Sequence, residues 1–308
     1  MVRSSPHTLL TRRGLQIVLG LIWLLDGILQ FQPYMFTKAF AEQVIVPVGQ
    51  GQPAFVAVPV DWAASLIAAH PIAWNIPFAT VQALLGISIL VPRTARLGLA
   101  ASVVWGIFVW YLGEGLGGLA SGLASGHASL LDGAPGAALL YCVLALAAWT
   151  PRSRPHLPLP TWLLPVWTVL WVGGAIFQAL PGQNSGGDIA AIISESAGSA
   201  PGLLANLSNM LAAWAGQHGT GVVVGLVALE ALIGIAILPR ATRRYAAVAG
   251  FVLAAGIWLF CQSAGALTTG QATDPNTALI IAVMAVAVFG IRESVKRLLP
   301  GKEPEASG

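Results

Sequence analysis

The chain has 308 residues, of which 56% are hydrophobic and only 9% are charged, and its mean hydropathy is +0.77. In an ordinary soluble domain about 25% of the residues are charged, so this composition excludes that class and indicates a protein of the lipid bilayer. The formal charge of +3 does not indicate a nucleic-acid partner, because the basic residues stand in short clusters between apolar segments.

Apolar runs of about 16 to 21 residues predict transmembrane helices, because a helix of about 20 residues crosses about 30 Å of hydrocarbon. The first run follows several arginines, as the apolar core of a signal peptide would, but it is longer than such a core and has an internal counterpart near residue 171. It is therefore expected to remain in the mature protein. The eight predicted spans are residues 14–32, 71–91, 97–114, 135–150, 161–180, 219–238, 245–262 and 277–291.

The basic residues support eight crossings. With eight spans, 14 of the 15 lysines and arginines fall on one side of the membrane, and only Lys38 falls on the other. The positive-inside rule identifies the basic side as the cytoplasm. The sequence thus predicts an integral protein of a bacterial cytoplasmic (inner) membrane with both termini in the cytoplasm. The 14 residues are Arg3, Arg12, Arg13, Arg93, Arg96, Arg152, Arg154, Arg240, Arg243, Arg244, Arg292, Lys296, Arg297 and Lys302.

An internal repeat divides the chain. The tryptophan, glutamine and proline of residues 23–33 recur in residues 171–181 at a constant offset of 148. This offset is close to half the chain and predicts two copies of one four-helix unit, residues 1–155 and 156–308. Because each copy crosses the membrane an even number of times, both insert in the same direction. The predicted fold class is all-α, with two parallel-repeat four-helix bundles joined by the proline-rich residues 151–160.

A long segment on the outer side follows the first helix of each copy. Within these segments, residues 56–69 and 203–215 are apolar with occasional polar residues, and they carry Trp62 and Trp214. Tryptophan is enriched at the level of the lipid head groups. We therefore expect two short helices that lie on or dip into the outer interface.

Two stretches resemble the turn between the second and third helices of the DoxX and MauE-like membrane proteins. They are EALIGIAILPRATRR at residues 230–244 and QALLGISILVPRTAR at residues 82–96, with Gln82 where that family often has a carboxylate. The resemblance covers most of both copies. It implies a role in quinone-coupled sulfur oxidation, in thiol redox partnership or in assembly. A thiol role is disfavoured, because Cys142 and Cys261 do not form a pair.

Acidic residues within the predicted spans are candidates for function, since an ionised side chain at the centre of a membrane helix costs at least ~2.5 kcal/mol. At the offset of 148, Gln82 matches Glu230 and Glu114 matches Gln262, so each copy keeps one acid and one amide on its second and third helices. These positions are predicted to face a polar interior. The alternative is hydrogen bonding between helices that holds each bundle together. The predicted intramembrane ligand site comprises Asp26, Gln30, Gln82, Glu114, Gln178, Glu230 and Gln262.

Histidine and tryptophan pairs match at the same offset. His70 and His218 stand at the outer mouth of the second helix of each copy, where they could bind a metal or haem, shuttle protons, cap a helix or sit in the interface. The sequence has few methionines and no carboxylate at ligand spacing, so no metal site is predicted. The tryptophans would flank a flat ligand or pack the core. They are Trp23, Trp110, Trp171 and Trp258.

The residues together predict a membrane component of a respiratory or quinone-linked redox system, with a polar pocket for a lipophilic ligand. Quinone is the candidate ligand, and no intrinsic cofactor is expected. The alternatives are a small-molecule or ion permease and a structural or assembly subunit of a membrane complex. The expected partners are membrane lipid and a redox enzyme or membrane complex. Whether the protein is itself an enzyme stays open at this point.

Overall fold

The computed structural model describes residues 10–125, 128–150, 157–181 and 183–291. Within these ranges the regular structure is helical, apart from an isolated bridge between Thr11 and Pro158, which confirms the predicted all-α class. The α-helices are α1 (Arg12–Gln30), α2 (Lys38–Phe40), α3 (Val46–Gly49), α4 (Ala54–Ala69), α5 (Pro71–Leu90), α6 (Ala95–Leu112), α7 (Leu119–Ser125), α8 (Ala137–Ala147), α9 (Leu163–Gln178), α10 (Gly186–Ala197), α11 (Gly202–Ala236), α12 (Arg243–Phe260) and α13 (Thr277–Phe289).

A helix occupies each of the eight predicted apolar runs. In the described part of the chain, five helices are long and apolar enough to cross a membrane, namely α1, α5, α6, α11 and α12. Helices α8, α9 and α13 are apolar but have only 11, 16 and 13 residues. Several long apolar helices fit a polytopic membrane protein, while the eight crossings stay a prediction.

The first bundle is formed by α1, α5, α6 and α8. Helix α1 packs along α5, α5 along α6, α6 along α8, and α8 closes the bundle against α1. Small residues bring α1 and α5 into backbone contact. A Cβ added at Gly27 would lie 2.8 Å from the backbone nitrogen of Ala83, and one added at Gly86 would lie 2.7 Å from the carbonyl oxygen of Gly20. Such close approach favours helix association where lipid removes the hydrophobic driving force.

The second bundle is formed by α9, α11, α12 and α13, which pack in the same order. Gly234 of α11 lies against Trp171, and Gly250 of α12 lies against the ring of Trp167. Helices α8 and α13 join the two bundles, and one hydrophobic core runs through both of them.

The chain makes a left-handed turn after the third helix of each bundle. Four consecutive residues have positive φ at 115–118 and again at 263–266. Only glycine fits at one position of each turn, because a Cβ at Gly117 would lie 2.0 Å from the carbonyl oxygen of Pro135 and one at Gly265 would lie 2.7 Å from that of Pro275. Each turn is thereby held against the start of the following helix.

Segments outside the bundles lie between their first and second helices. The helix predicted at residues 56–69 is present as α4, which packs with a 3₁₀ helix (Pro33–Phe36) and a π-helical turn (Ala41–Ile45) around a small separate core. The helix predicted at residues 203–215 is the first part of α11, which is interrupted at Gly219 with φ 47° and ψ −122°. Both predicted helices are therefore present, and their position at a membrane interface stays a prediction.

The described arginines gather at one end of the helices. The backbone nitrogen of Arg12 donates to Leu157 O (3.1 Å), so α1 and α9 begin side by side. Arg13 donates to Ile89 O at the end of α5, and Arg243 donates to Ile291 O beyond α13. Lys38, in α2, follows the opposite end of α1. The predicted cytoplasmic residues Arg3, Arg152, Arg154, Arg292, Lys296, Arg297 and Lys302 lie outside the described residues.

Candidate functional site

A cavity of about 130 Å³ lies within the first bundle, toward the end away from the arginines, and α4 and the π-helical turn cover one side of it. The structure brings the four predicted polar residues of the first copy, and Trp23, into its wall. These residues are Trp23, Asp26, Gln30, Gln82 and Glu114.

Aromatic rings form much of the cavity wall. The indole nitrogen of Trp23 donates to Ser102 Oγ (2.8 Å), and the ring of Trp23 meets Tyr141 edge to face with centroids 4.9 Å apart. On the opposite side, Phe78, Trp105 and Phe108 form a continuous row, with the Trp105 centroid 5.8 Å from Phe78 and 5.2 Å from Phe108. The wall is therefore suited to a flat, apolar group.

Four buried polar atoms of this wall have no well-formed hydrogen bond among the described residues, although the Asp26 carboxyl and the Tyr141 hydroxyl face each other closely enough to interact. They are two acceptors, Asp26 Oδ1 and Gln82 Oε1, and two donors, Trp105 Nε1 and the Tyr141 hydroxyl. Asp26 and Tyr141 are each only 2% exposed. An unsatisfied buried polar group costs about 1–3 kcal/mol, and native proteins keep few of them. The cavity is thus suited to an occupant that both donates and accepts hydrogen bonds.

Gln30 has a structural role in addition to its place in the wall. Its amide nitrogen donates to Asn75 Oδ1 (2.6 Å), and the Asn75 amide donates to the carbonyl oxygen of Gln30 (2.7 Å). This pair ties the end of α1 to the start of α5.

Two carboxyl groups stand at the mouth of the cavity. Glu114, in the turn beyond α6, accepts the backbone N–H of Ala138 at 3.1 and 3.2 Å and so caps α8. Asp274 comes from the loop before α13 and accepts from the backbone N–H of Asn276 (2.7 Å) and from the Thr273 hydroxyl (2.8 Å). Burial raises the pKa of Glu114 to about 8, and the nearby Asp274 adds to this increase. Burial also raises the pKa of Asp274.

A second, wider cavity of about 540 Å³, here called the basin, adjoins the first. Its wall combines loops of both bundles and includes Gln52, Asp132 and Asn276. Glu114 and Asp274 line both spaces, so these two carboxyl groups separate the inner cavity from the basin.

The residues predicted for the second copy do not line either of these cavities. Gln178 accepts from the Ser129 hydroxyl (2.8 Å). Gln262 accepts from the backbone N–H of Ala278 (3.0 Å) and donates to Leu130 O (3.3 Å). Both amides therefore form hydrogen bonds between helices and loops, which is the alternative to a ligand-binding role. Glu230 is fully buried, and neither of its carboxyl oxygens has a hydrogen-bond partner in the described chain.

A leucine of the first bundle fills the corresponding place in the second. At the offset of 148, Asp26 matches Gly174, and a Cβ at Gly174 would lie only 2.4 Å from Leu130 Cδ1. Leu130 is 3% exposed. The space that is a cavity beside Asp26 is thus occupied by a side chain beside Gly174.

The remaining predicted aromatic residues serve packing. Trp110 donates to Pro135 O (2.8 Å) and Trp258 donates to Pro275 O (2.7 Å), so each tryptophan holds the loop before the last helix of its bundle. Trp171 is fully buried and packs against Trp167 with centroids 5.5 Å apart. Among the four predicted tryptophans, Trp23 alone lines the inner cavity.

The two histidines lie at the helix boundaries. His70 is exposed at the junction of α4 and α5, and His218 stacks on Trp214 while its Nδ1 is 2.8 Å from Trp214 O. Within the described residues, no group of three or more His, Cys, Asp or Glu side chains could hold a metal ion.

Sequence reasoning missed several residues of the cavity, among them Trp105, Tyr141 and Asp274. Tyr141 was detectable, because it carries the only hydroxyl group in the otherwise apolar sequence of α8. Asp274 gave no such signal, since it lies in a loop of the other half of the chain and reaches the cavity only when the bundles pack together.

The described structure defines an all-helical protein with several long apolar helices and a polar, aromatic cavity in one of its two bundles. Comparison with known proteins adds no relative, as no family model matches the chain and no curated protein or solved structure is similar to it. The chemistry of the cavity is therefore the basis for assigning a function.

Proposed function

We propose that the chain is a polytopic protein of a bacterial cytoplasmic membrane that binds a lipophilic ligand with a polar head group, as the membrane component of a quinone-linked redox system. The observation that carries this proposal is the set of four buried polar atoms that lack a well-formed hydrogen bond, in a cavity walled by aromatic rings. Leaving those atoms unpaired would cost several kcal/mol in total, which a ligand with matching polar atoms would recover.

A quinone head group fits this chemistry. Its flat ring would pack beside Phe78 and Trp105, and its oxygens would accept from Trp105 Nε1 and the Tyr141 hydroxyl. In the quinol form, each oxygen also donates, and Asp26 and Gln82 offer the acceptors. No lysine, arginine or histidine lines the cavity within the described chain, which disfavours an anionic ligand.

We further propose that the chain consists of two DoxX/MauE-like units, residues 1–155 and 156–308, with eight crossings and cytoplasmic termini. Matching contacts support this, since Glu114 caps α8 through Ala138 as Gln262 caps α13 through Ala278. The left-handed turns also match. The side-by-side starts of α1 and α9 agree with parallel insertion, and the clustered arginines agree with a cytoplasmic location of that end.

The experiment is purification in mild detergent followed by solvent extraction and chromatography. Wild-type protein should carry a quinone at close to one molecule per chain, and Asp26→Asn and Tyr141→Phe should each lower that content. Glu230→Gln is the matched control, because Glu230 is equally buried but does not line this cavity. Wild-type protein with no more quinone than an unrelated membrane protein purified in parallel would refute the quinone proposal. Co-isolation with a larger redox enzyme would identify the partner.

A small-molecule permease is the second candidate, because the inner cavity and the basin share Glu114 and Asp274 and so adjoin each other. This arrangement offers a path from the surface of the bundle into its interior. The permease would be favoured by two results together. A small molecule is taken up into sealed vesicles by the wild type but not by Asp26→Asn, and the purified protein contains no quinone.

A further inference from the structure

Three carboxyl groups form a series from the interior of the first bundle to the basin. Asp26, on α1, lines only the inner cavity, whereas Glu114 and Asp274 line both spaces. Each group comes from a different element, and Asp274 belongs to the second bundle. The series exists only because the bundles pack against each other.

Only acidic and neutral groups face these carboxyls. Asp26 faces the Tyr141 hydroxyl and interacts electrostatically with Asp274 and Glu114. Glu114 faces Asp274, and the basin adds Asp132. No lysine, arginine or histidine in the described ranges lines either space, so no cation fixes these acids in the ionised form.

We propose that Asp26, Glu114 and Asp274 form a proton route between the ligand in the inner cavity and water in the basin, with the second bundle supplying one of its groups. This inference rests on the proposed function, because the ligand is the donor or acceptor of the proton.

Each step moves a single proton. The ligand O–H bond breaks as an O–H bond forms on an ionised Asp26 carboxyl. Asp26 then passes its proton through water in the inner cavity to an ionised Glu114 or Asp274 and becomes ionised again, and that group releases the proton to water in the basin. No electron moves along this path.

The side chains at the mouth are suited to such exchange. A carboxyl whose pKa lies near the working pH both takes and releases protons readily. Burial raises the pKa of Glu114 to about 8 and raises that of Asp274 as well.

The corresponding positions around the second bundle, one of which is supplied by a loop of the first bundle, do not carry these groups. Gly174 replaces Asp26, Gln262 replaces Glu114, and Ala134 precedes Pro135 where Asp274 precedes Pro275. Neither glycine nor alanine has a proton to exchange, and an amide does not titrate. The route is therefore confined to the first bundle.

The test follows hydrogen–deuterium exchange of protonated carboxyls by infrared difference spectroscopy, with the protein in lipid nanodiscs at acidic pH. The carbonyl-stretch bands of Asp26 and Glu230 are assigned from Asp26→Asn and Glu230→Gln. In the double variant Glu114→Gln/Asp274→Asn, exchange at Asp26 should slow by at least about tenfold. Glu114→Gln should fold, because Gln262 makes the same cap contact in the second bundle.

Two controls make the result decisive. Asp132→Asn changes an acid that lines the basin but not the inner cavity, so exchange at Asp26 should stay at the wild-type rate. Exchange at Glu230, which lines neither space, should be the same in the wild type, in the double variant and in Asp132→Asn. Wild-type exchange at Asp26 in the double variant, or equal slowing at Glu230, would overturn the route. Quinone content measured on the same samples separates this outcome from failure of the proposed function.

Discussion

The two bundles use the same helix order but treat the space beside their first helix differently. In the first, Asp26, Gln82 and Tyr141 line a cavity, and three of their polar atoms lack a well-formed hydrogen bond in the described chain. In the second, Gly174 leaves room that Leu130 fills. Two bundles of the same helix order can thus differ in whether this space is open or filled, according to the loop residues that each bundle contributes to the other.

The largest effect is expected when the side chain of Leu130, which fills the space beside Gly174, is removed. Leu130→Ala should lower the free energy of unfolding by about 3 kcal/mol, because the loss of this buried leucine side chain would leave a void beside Gly174. Thermal unfolding in detergent measures the effect. Leu97→Ala, at a leucine that is 71% exposed, is the control and should have a small effect. Equal losses in the two variants would mean that Leu130 does not fill a packed site.

Changing the cavity acid should affect binding more than folding. Asp26→Asn should weaken the binding of a short-chain quinone by about tenfold to a hundredfold, since hydrogen bonds to acidic groups contribute about 1.5–3 kcal/mol. Quenching of tryptophan fluorescence is a suitable measurement, because Trp23 and Trp105 line the cavity. The quinone affinity of Glu230→Gln should equal that of the wild type. A larger loss in Glu230→Gln than in Asp26→Asn would shift the site to the second bundle.

A smaller effect is expected at the contact that orients Trp23. Ser102→Ala should cost about 1 kcal/mol of stability, because the indole N–H of Trp23 would lose its only described acceptor. The second bundle already lacks this contact, since Gly250 matches Ser102 and Trp171 Nε1 has no described partner. Ser65→Ala, at an exposed serine, should change stability by less than about 0.5 kcal/mol. No difference between the two serine variants would argue against a contribution from the Trp23 contact.

The last expected effect concerns pH. The pKa of Glu114 is about 8 in the folded protein, against an ordinary value of 4.5, so the folded state holds this proton more tightly than the unfolded state does. The resulting stability is fully present below pH 4.5 and is lost as the pH rises through 8. The Tm should fall across this range, and less so in Glu114→Gln. Gln262→Glu should steepen the fall by giving the second bundle the same titrating cap. An unchanged pH dependence in both variants would contradict this assignment.

The sequence predicted helices more completely than it predicted contacts. Apolar runs located all eight bundle helices, because hydrophobic length is a local property of the chain. The four polar residues of the first copy do line one cavity, while their role as a ligand site stays a prediction. The corresponding amides Gln178 and Gln262 instead bond to residues 129–130 of the first bundle. That difference depends on the path of a loop between bundles, which no periodicity encodes.

The two loops that reach from one bundle to the other, one carrying Leu130 and one carrying Asp274, also determine the order in which the molecule can be completed. Because synthesis proceeds from the amino terminus, helices α1 to α8 exist before Thr273 and Asp274 have been made, and the inner cavity lacks that part of its wall until the last loop arrives. Leu130, in contrast, is synthesised before Gly174 and the pocket that Leu130 fills. Two separate genes for the halves would therefore have to be expressed together, since each product alone would lack a side chain that only the other can provide.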